Sequence, residues 1–234
     1  MEATVQNRKL KITDPLTECS CVLAALLHDA DHEGVPNALL QKEQPDMDLK
    51  YKGKALAEQH SVDVGWQLLM DDRYKDFRSM LYQTEEELLL FRQLIVNIII
   101  ATDIVDKDLK MQRQNRWEKA MIEPDTSHEN INRKATISIE HLIQASDISH
   151  TMQPFSVYVE WNERLFAELW KAYEEGRSAV DPSTFWFKGE IGFFDYYILP
   201  LVEELKACEV FGSSIKDFLF HAKANRQGTP TKLV

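Results

Sequence analysis

The chain has little of what several large classes of protein require. It holds three cysteines in 234 residues, Cys19, Cys21 and Cys208, an odd number with no C-x-x-C pair. That argues against a disulfide framework and against a zinc ribbon. Cation is also scarce: 27 Lys and Arg stand against 38 Asp and Glu, for a net charge of −11. A phosphate backbone needs clustered Lys and Arg, so nucleic acid is not expected as a partner. An anionic small molecule would need a metal ion or local cations to draw it in. No apolar run is long and clean enough for a membrane. The strongest, "LLLFRQLIVNIIIATDIV" (88–105), is broken by Arg92, Gln93, Asn97 and Asp103 and reads as a buried helix. The opening "MEATVQNRKLKITDPLTE" is polar throughout, unlike a signal peptide. A cytoplasmic location without membrane insertion is the expectation. Strand-like alternation is nearly absent, which removes the β classes.

What remains is helix. "CVLAALLHD" is apolar on every side, as a core helix would be. "GKALAEQHSVDVGWQLLM" (53–70) repeats Ala57, Val62, Trp66 and Leu69 at helical spacing. "TEEELLLFRQLIVNIIIATDIV" opens with Thr84 as N-cap and three glutamates at the positive helix end. "ATISIEHLIQASDIS" (135–149) and "FSVYVEWNERLFAELWKAYEEG" (155–176) are periodic, the latter closing at Gly176. In "FKGEIGFFDYYILPLVEELKAC" (187–208), Pro200 predicts a kink or a boundary between two helices. Loops are expected at 34–53, 123–134 and 178–186, and a loose polar tail from Asn225. The reading is one all-α domain.

One stretch asks for chemistry. "ALLHDADHEG" (25–34) sets His28, Asp29, Asp31 and His32 on the end of an apolar helix. Adjacent residues at a helix terminus can both turn toward one ion, and imidazole with carboxylate suits Zn²⁺ or another first-row divalent ion. His32, four residues after His28, would share its helical face. The plain alternative is that His28 and Asp29 cap the helix and His32 lies on the surface. Asp147, in "ASDIS", is likewise either a ligand or an ordinary helix-end residue.

These residues carry a resemblance. "LAALLHDADHEGVPNALL" resembles the H-D-x-D-H-x-G-x-x-N signature of class I cyclic-nucleotide phosphodiesterases, within the HD-domain metal phosphohydrolases. "ALAEQHSVDVGWQLL", "IVNIIIATDIV", "LIQASDISHTMQPFSVYVEW" and "GEIGFFDYYILPL" resemble that family's further motifs, in the same order. Several segments also resemble phosphodiesterase domains of unicellular algae. The resemblance implies a compact, multi-helix, all-α HD-type catalytic domain over 14–211, lacking its first helices, followed by a C-terminal helix remnant and polar tail over 212–234. It implies hydrolysis of a 3′,5′-cyclic nucleotide to the 5′-monophosphate with two divalent ions, zinc and magnesium or manganese. His28, Asp29 and Asp147 would hold metal, with Asp29 bridging the two ions and Asp29 and Asp147 also facing substrate. His32 would face the phosphate and Glu58 would serve the catalytic acid. Thr102 and Asp103 would orient ligands, Phe193 and Leu165 would sandwich the base, and Glu190 would read its edge.

Two departures follow from the same resemblance. The family's acid histidine and fourth metal ligand come from an H-N-x-x-H segment, yet none of the residues before His28 is histidine. Ser61 stands where the family usually has histidine. A truncated chain of impaired activity is therefore expected, and a non-catalytic metal- or nucleotide-binding module is the alternative. Regulatory or cyclase domains and a membrane tether would belong to a longer protein. Glu190 replaces the family's glutamine. Ionised, it only accepts hydrogen bonds and would suit the paired donors of guanine; protonated, or turned to Lys188, it would show little base preference.

Overall fold

The computed structural model describes residues 14–122, 127–209 and 211–229. The described residues form twelve α-helices and no strand. In order these are α1 (Pro15–Leu27), α2 (Asn37–Glu43), α3 (Pro45–Tyr51), α4 (Leu56–Met70), α5 (Lys75–Leu81) and α6 (Glu85–Ile100). There follow α7 (Lys107–Trp117), α8 (His128–Asp147), α9 (Phe155–Glu174), α10 (Trp186–Phe193), α11 (Leu199–Ala207) and α12 (Ile215–Gly228). The all-α class expected from the sequence is what the chain adopts. None of these helices is long and apolar enough to cross a membrane. The segment 34–53, expected as loop, contains α2 and α3; seven residues each are too few for a periodic signal to show. Within 123–134, also expected as loop, α8 begins at His128, and residues 123–126 lie outside the described set.

The chain divides into two compact units. The first comprises Met1–His32 and Pro45–Ile143. Its core joins Ala24 and Leu27 of α1, Val62 and Leu69 of α4, and Phe91, Ile95, Ile98 and Ile99 of α6. The α6 N-terminus is closed by a capping box: Thr84 accepts from the Glu87 N–H, and Glu87 accepts from the Thr84 N–H. Asp14 caps α1, accepting from Thr17 N, with Pro15 in the first turn. The expectation that this helix is buried all round fails. Ser20, Ala24 and Leu27 face inward, whereas Val22 and Leu26 on the opposite side are 69% and 76% exposed. A Cβ on Gly65 would stand 3.0 Å from the Leu27 side chain, so glycine there lets α4 lie close against the end of α1.

Phe91 is fully buried, with Trp66 and Tyr82 ring centroids 6.0 and 5.8 Å away. Phe91→Ala should cost about 3–5 kcal/mol, because the rings around the void relax only partly. Thermal unfolding checks this, and a loss under ~1 kcal/mol would show that Trp66 and Tyr82 collapse into the space.

The second unit comprises Glu33–Gln44 and Gln144–Val234. Its core is built on Phe194, Ile198, Leu201, Val202 and Leu205, with Tyr158, Met152, Ile215 and Ala222 around them. Pro200 does mark a boundary: a π-helical turn, Phe194–Ile198, precedes α11. Proline has no N–H to continue the α ladder and its ring crowds the carbonyl four residues back, so the helix widens just before it. At the end of α9, Gly176 adopts φ +74, with Arg177 N–H donating to Ala172 O and Gly176 N–H to Tyr173 O. Arg177 then reaches Glu33 at 3.1 Å and Glu43 at 2.6 Å, fastening the 33–44 segment to the end of α9. The tail expected to be loose from Asn225 is ordered through Thr229. Asn225 is fully buried, and its amide donates to the carbonyls of Thr151 and Gln153, both at 2.8 Å.

Candidate functional site

In the first unit, α1 ends at Leu27 and His28 takes its C-cap position. The His28 Nδ1 lies 2.8 Å from the Ala25 carbonyl oxygen. A carbonyl can only accept, so Nδ1 carries a hydrogen, and in the neutral ring the lone pair is on Nε2. That nitrogen stands 3.3 Å from Asp29 Oδ2. Two ligands of one tetrahedral zinc, each bonded at ~2.0–2.1 Å, are separated by about 3.3–3.4 Å. The pair is thus spaced as two corners of a zinc site, and the Nδ1 bond orients the imidazole as ligating histidines usually are.

The residues after Asp29 do not continue the helix, so His32 does not share a helical face with His28. The His32 N–H donates to Asp29 O across a turn, and Asp31 adopts φ +62. Two consecutive α4 side chains hold this turn. His60 Nε2 lies 2.8 Å from Asp31 Oδ2, and the fully buried Ser61 donates to Ala30 O at 2.9 Å. Neither contact was legible beforehand. Glu58 is half-buried in the first turn of α4. Thr102 donates to Ile99 O, and the buried Asp103 accepts from the N–H groups of Val105 and Asp106 at 3.0 Å each. These bonds shape the turn between α6 and α7, to which Arg113 adds donations to Ala101 O and Asp103 O.

In the second unit, Asp147 is the last residue of α8 and is exposed. Three residues on, burial holds the His150 imidazole below its ordinary pKa, against the opposing pull of the Asp147 charge. Glu190, on α10, is bonded through Oε2 to the Tyr158 hydroxyl at 2.9 Å and to Asn162 Nδ2 at 2.6 Å, not to Lys188. Burial pushes its carboxyl up, while the two hydrogen bonds pull the other way. The Tyr158 phenol is driven well above its usual range, chiefly by the same burial. Phe193, at the end of α10, stacks on Tyr197 with centroids 5.2 Å apart, and Leu165 is 44% exposed on α9. Tyr158, Asn162, Phe166, Trp186 and Thr229 help to line a cavity of about 430 Å³. Tyr158, Asn162 and Thr229 were missed as site residues because each, taken singly, reads as an ordinary helix or tail position.

The sequence pattern of the family described as 3′5′-cyclic nucleotide phosphodiesterase matches residues 1–219. A probable 3′,5′-cyclic-AMP phosphodiesterase, pde-4 of Caenorhabditis elegans, is 26% identical over 199 residues, 79% of this chain and 28% of that protein. The 3′,5′-cyclic-AMP phosphodiesterase 4C of Mus musculus is 26% identical over the same shares. The chain therefore spans little more than a quarter of these relatives' length. The phosphodiesterase domain of the RhoPDE fusion protein from the choanoflagellate Salpingoeca rosetta shares the fold. It superposes with a TM-score of 0.74 at 21% identity, over 91% of this chain and 68% of that one.

Proposed function

The chain belongs to the 3′5′-cyclic nucleotide phosphodiesterase family, and we propose that it forms the metal- and nucleotide-binding part of an enzyme hydrolysing a 3′,5′-cyclic nucleotide to its 5′-monophosphate. The observation that carries this is the His28–Asp29 pair, with its tautomer set by Ala25 O and its ligand atoms 3.3 Å apart. His28, Asp29 and Asp147 offer one imidazole nitrogen and two carboxylate oxygens. That donor set fits zinc, with Asp29 free to share its second oxygen with a harder ion such as magnesium or manganese. Bound divalent ions supply a Lewis acid that polarises the phosphodiester and brings a water's pKa toward neutrality.

The protein's own groups do the rest. Asp29 and Asp147 balance the cationic charge and position the phosphate, which His32 faces. Glu58 accepts from the acid that protonates the 3′-oxygen as it leaves, and Thr102 and Asp103 orient the groups around the ions. Phe193 and Leu165 hold the base between them and Glu190 meets its edge. These roles all fall within residues 14–211. A second reading is a metal- or nucleotide-binding module without turnover.

The test is to incubate the chain with cyclic AMP or cyclic GMP, with and without Zn²⁺ and Mn²⁺, and to separate the products. Slow, metal-dependent formation of 5′-monophosphate is the expected result. Metal-dependent nucleotide binding with no product would establish the second reading, and a product formed equally without metal would overturn both.

A further inference from the structure

In the second unit three polar contacts compete for too few hydrogens. The Tyr158 hydroxyl lies 2.9 Å from Glu190 Oε2 and 3.1 Å from Thr229 Oγ1, and Thr229 Oγ1 lies 2.8 Å from the Asn225 carbonyl. Each hydroxyl carries one hydrogen. If Glu190 is ionised, two hydroxyl hydrogens must serve these three contacts, and one contact sets lone pair against lone pair. Asn162 cannot relieve the shortage. Trp186 Nε1 donates to its Oδ1 at 3.2 Å, so its amide nitrogen must be the atom that meets Glu190. Tyr158 and Thr229 are 3% and 6% exposed, so the cavity they line is where water could reach these contacts.

One more hydrogen completes it. We propose that Glu190 is held protonated in the folded chain, its carboxyl donating to Tyr158, Tyr158 to Thr229, and Thr229 to the Asn225 carbonyl. Asn162 still donates to Oε2, and every contact then has one donor and one acceptor.

The surroundings favour the neutral form. The adjoining cavity is walled by Phe155, Phe166, Trp186 and Phe187, and the charged residue in its lining is Glu163, an anion. From α12, Arg226 is committed to Asp195, at 2.9 and 2.8 Å. Lys188, on Glu190's own helix, is exposed and makes no ion pair with it. Among the described residues neither Lys188 nor Arg226 pairs with it, and burial pushes the Glu190 carboxyl up.

The consequence concerns base selection and rests on the proposed role of Glu190 at the base edge; the protonation itself does not. Oε1, outside the hydrogen-bond chain, becomes a neutral acceptor. The 6-amino group of adenine and the N1–H of guanine can both donate to it, so the preference for guanine expected of an ionised side chain is not imposed.

The experiment reads the proton without relying on activity. A carboxyl whose folded pKa is raised adds stability that is fully present below its unfolded range and is lost as pH climbs through the folded value. Melting temperatures of wild type and Glu190→Gln are compared from about pH 5 to 9, spanning from just above the ordinary carboxyl range. Wild type should fall relative to the variant by about 3–5 °C for each pH unit between the ordinary carboxyl range and the folded pKa, and level off above it. A difference that stays flat, or that rises with pH, overturns the proposal. If Glu190→Gln does not fold, Thr229→Val replaces it. Tyr158 then turns its hydrogen back to Glu190, and the loss of stability should level off at lower pH than in wild type. A levelling-off at the same pH as in wild type overturns the proposal.

Discussion

A chain carrying Asp147→Asn should bind Zn²⁺ weaker by on the order of 100-fold or more, beyond the ~10–100-fold that losing an outer-shell partner costs, with helix content unchanged. Asparagine keeps the shape and one acceptor oxygen but not the charge that balances a dication. The fold has little reason to suffer. Asp147 is exposed and closes α8, where the helix dipole presents its negative end. A carboxylate there is locally unfavourable by about 0.3–1 kcal/mol. The substitution should therefore hold or slightly raise the melting temperature while it removes the ion. Zinc titration by calorimetry, with circular dichroism alongside, separates the two effects. Unchanged zinc affinity would leave Asp147 a helix-end residue and remove it from the ligand set.

The contrast between a local cost and a distant use explains what could be read from the chain and what could not. The capping box at Thr84, the closure at Gly176 and the break before Pro200 depend on residues within a few positions of one another, and all three occur. The His28–Asp29 pair is local in the same way. The contacts that hold it are not: Asp31 meets His60 across 29 positions, and Ala30 meets Ser61 across 31. No periodicity announces such a pairing. Ser61, a departure from its family's histidine, acquires a visible task only when its hydroxyl is seen on the Ala30 carbonyl. The Glu190 environment is less legible still, since Tyr158 and Thr229 are 71 positions apart. Polar residues on α12 suggest a solvated end, whereas burial of Asn225 and Thr229 comes from what α9 and the turn before it place against them. The exposed face of α1 is the reverse case, because composition alone cannot say which side of an apolar helix is covered.

His60→Ala should weaken zinc binding by about 10–100-fold, the usual cost of losing a group that orients a ligand from outside the coordination sphere. His60 is not a ligand in the proposed site. Its bond to Asp31, at 2.8 Å, holds that residue at φ +62, in the turn that Asp29 itself opens. A left-handed conformation costs an ordinary residue ~1–2 kcal/mol, and aspartate tolerates it only with local support. Without His60 the turn is free to relax, and the Asp29 oxygen drifts from its 3.3 Å spacing to His28. Glycine adopts this conformation without strain. Asp31→Gly should therefore lose little zinc affinity alone and restore much of what His60→Ala removes. The same pair of substitutions separates positioning from charge. If His60 acted through its charge on the ion or on Asp29, replacing Asp31 would restore nothing and the two losses would add. Zinc affinities of the two single variants and the double variant decide between these outcomes, because a merely destabilised fold would lower the melting temperature of His60→Ala without recovering zinc binding when Asp31 becomes glycine.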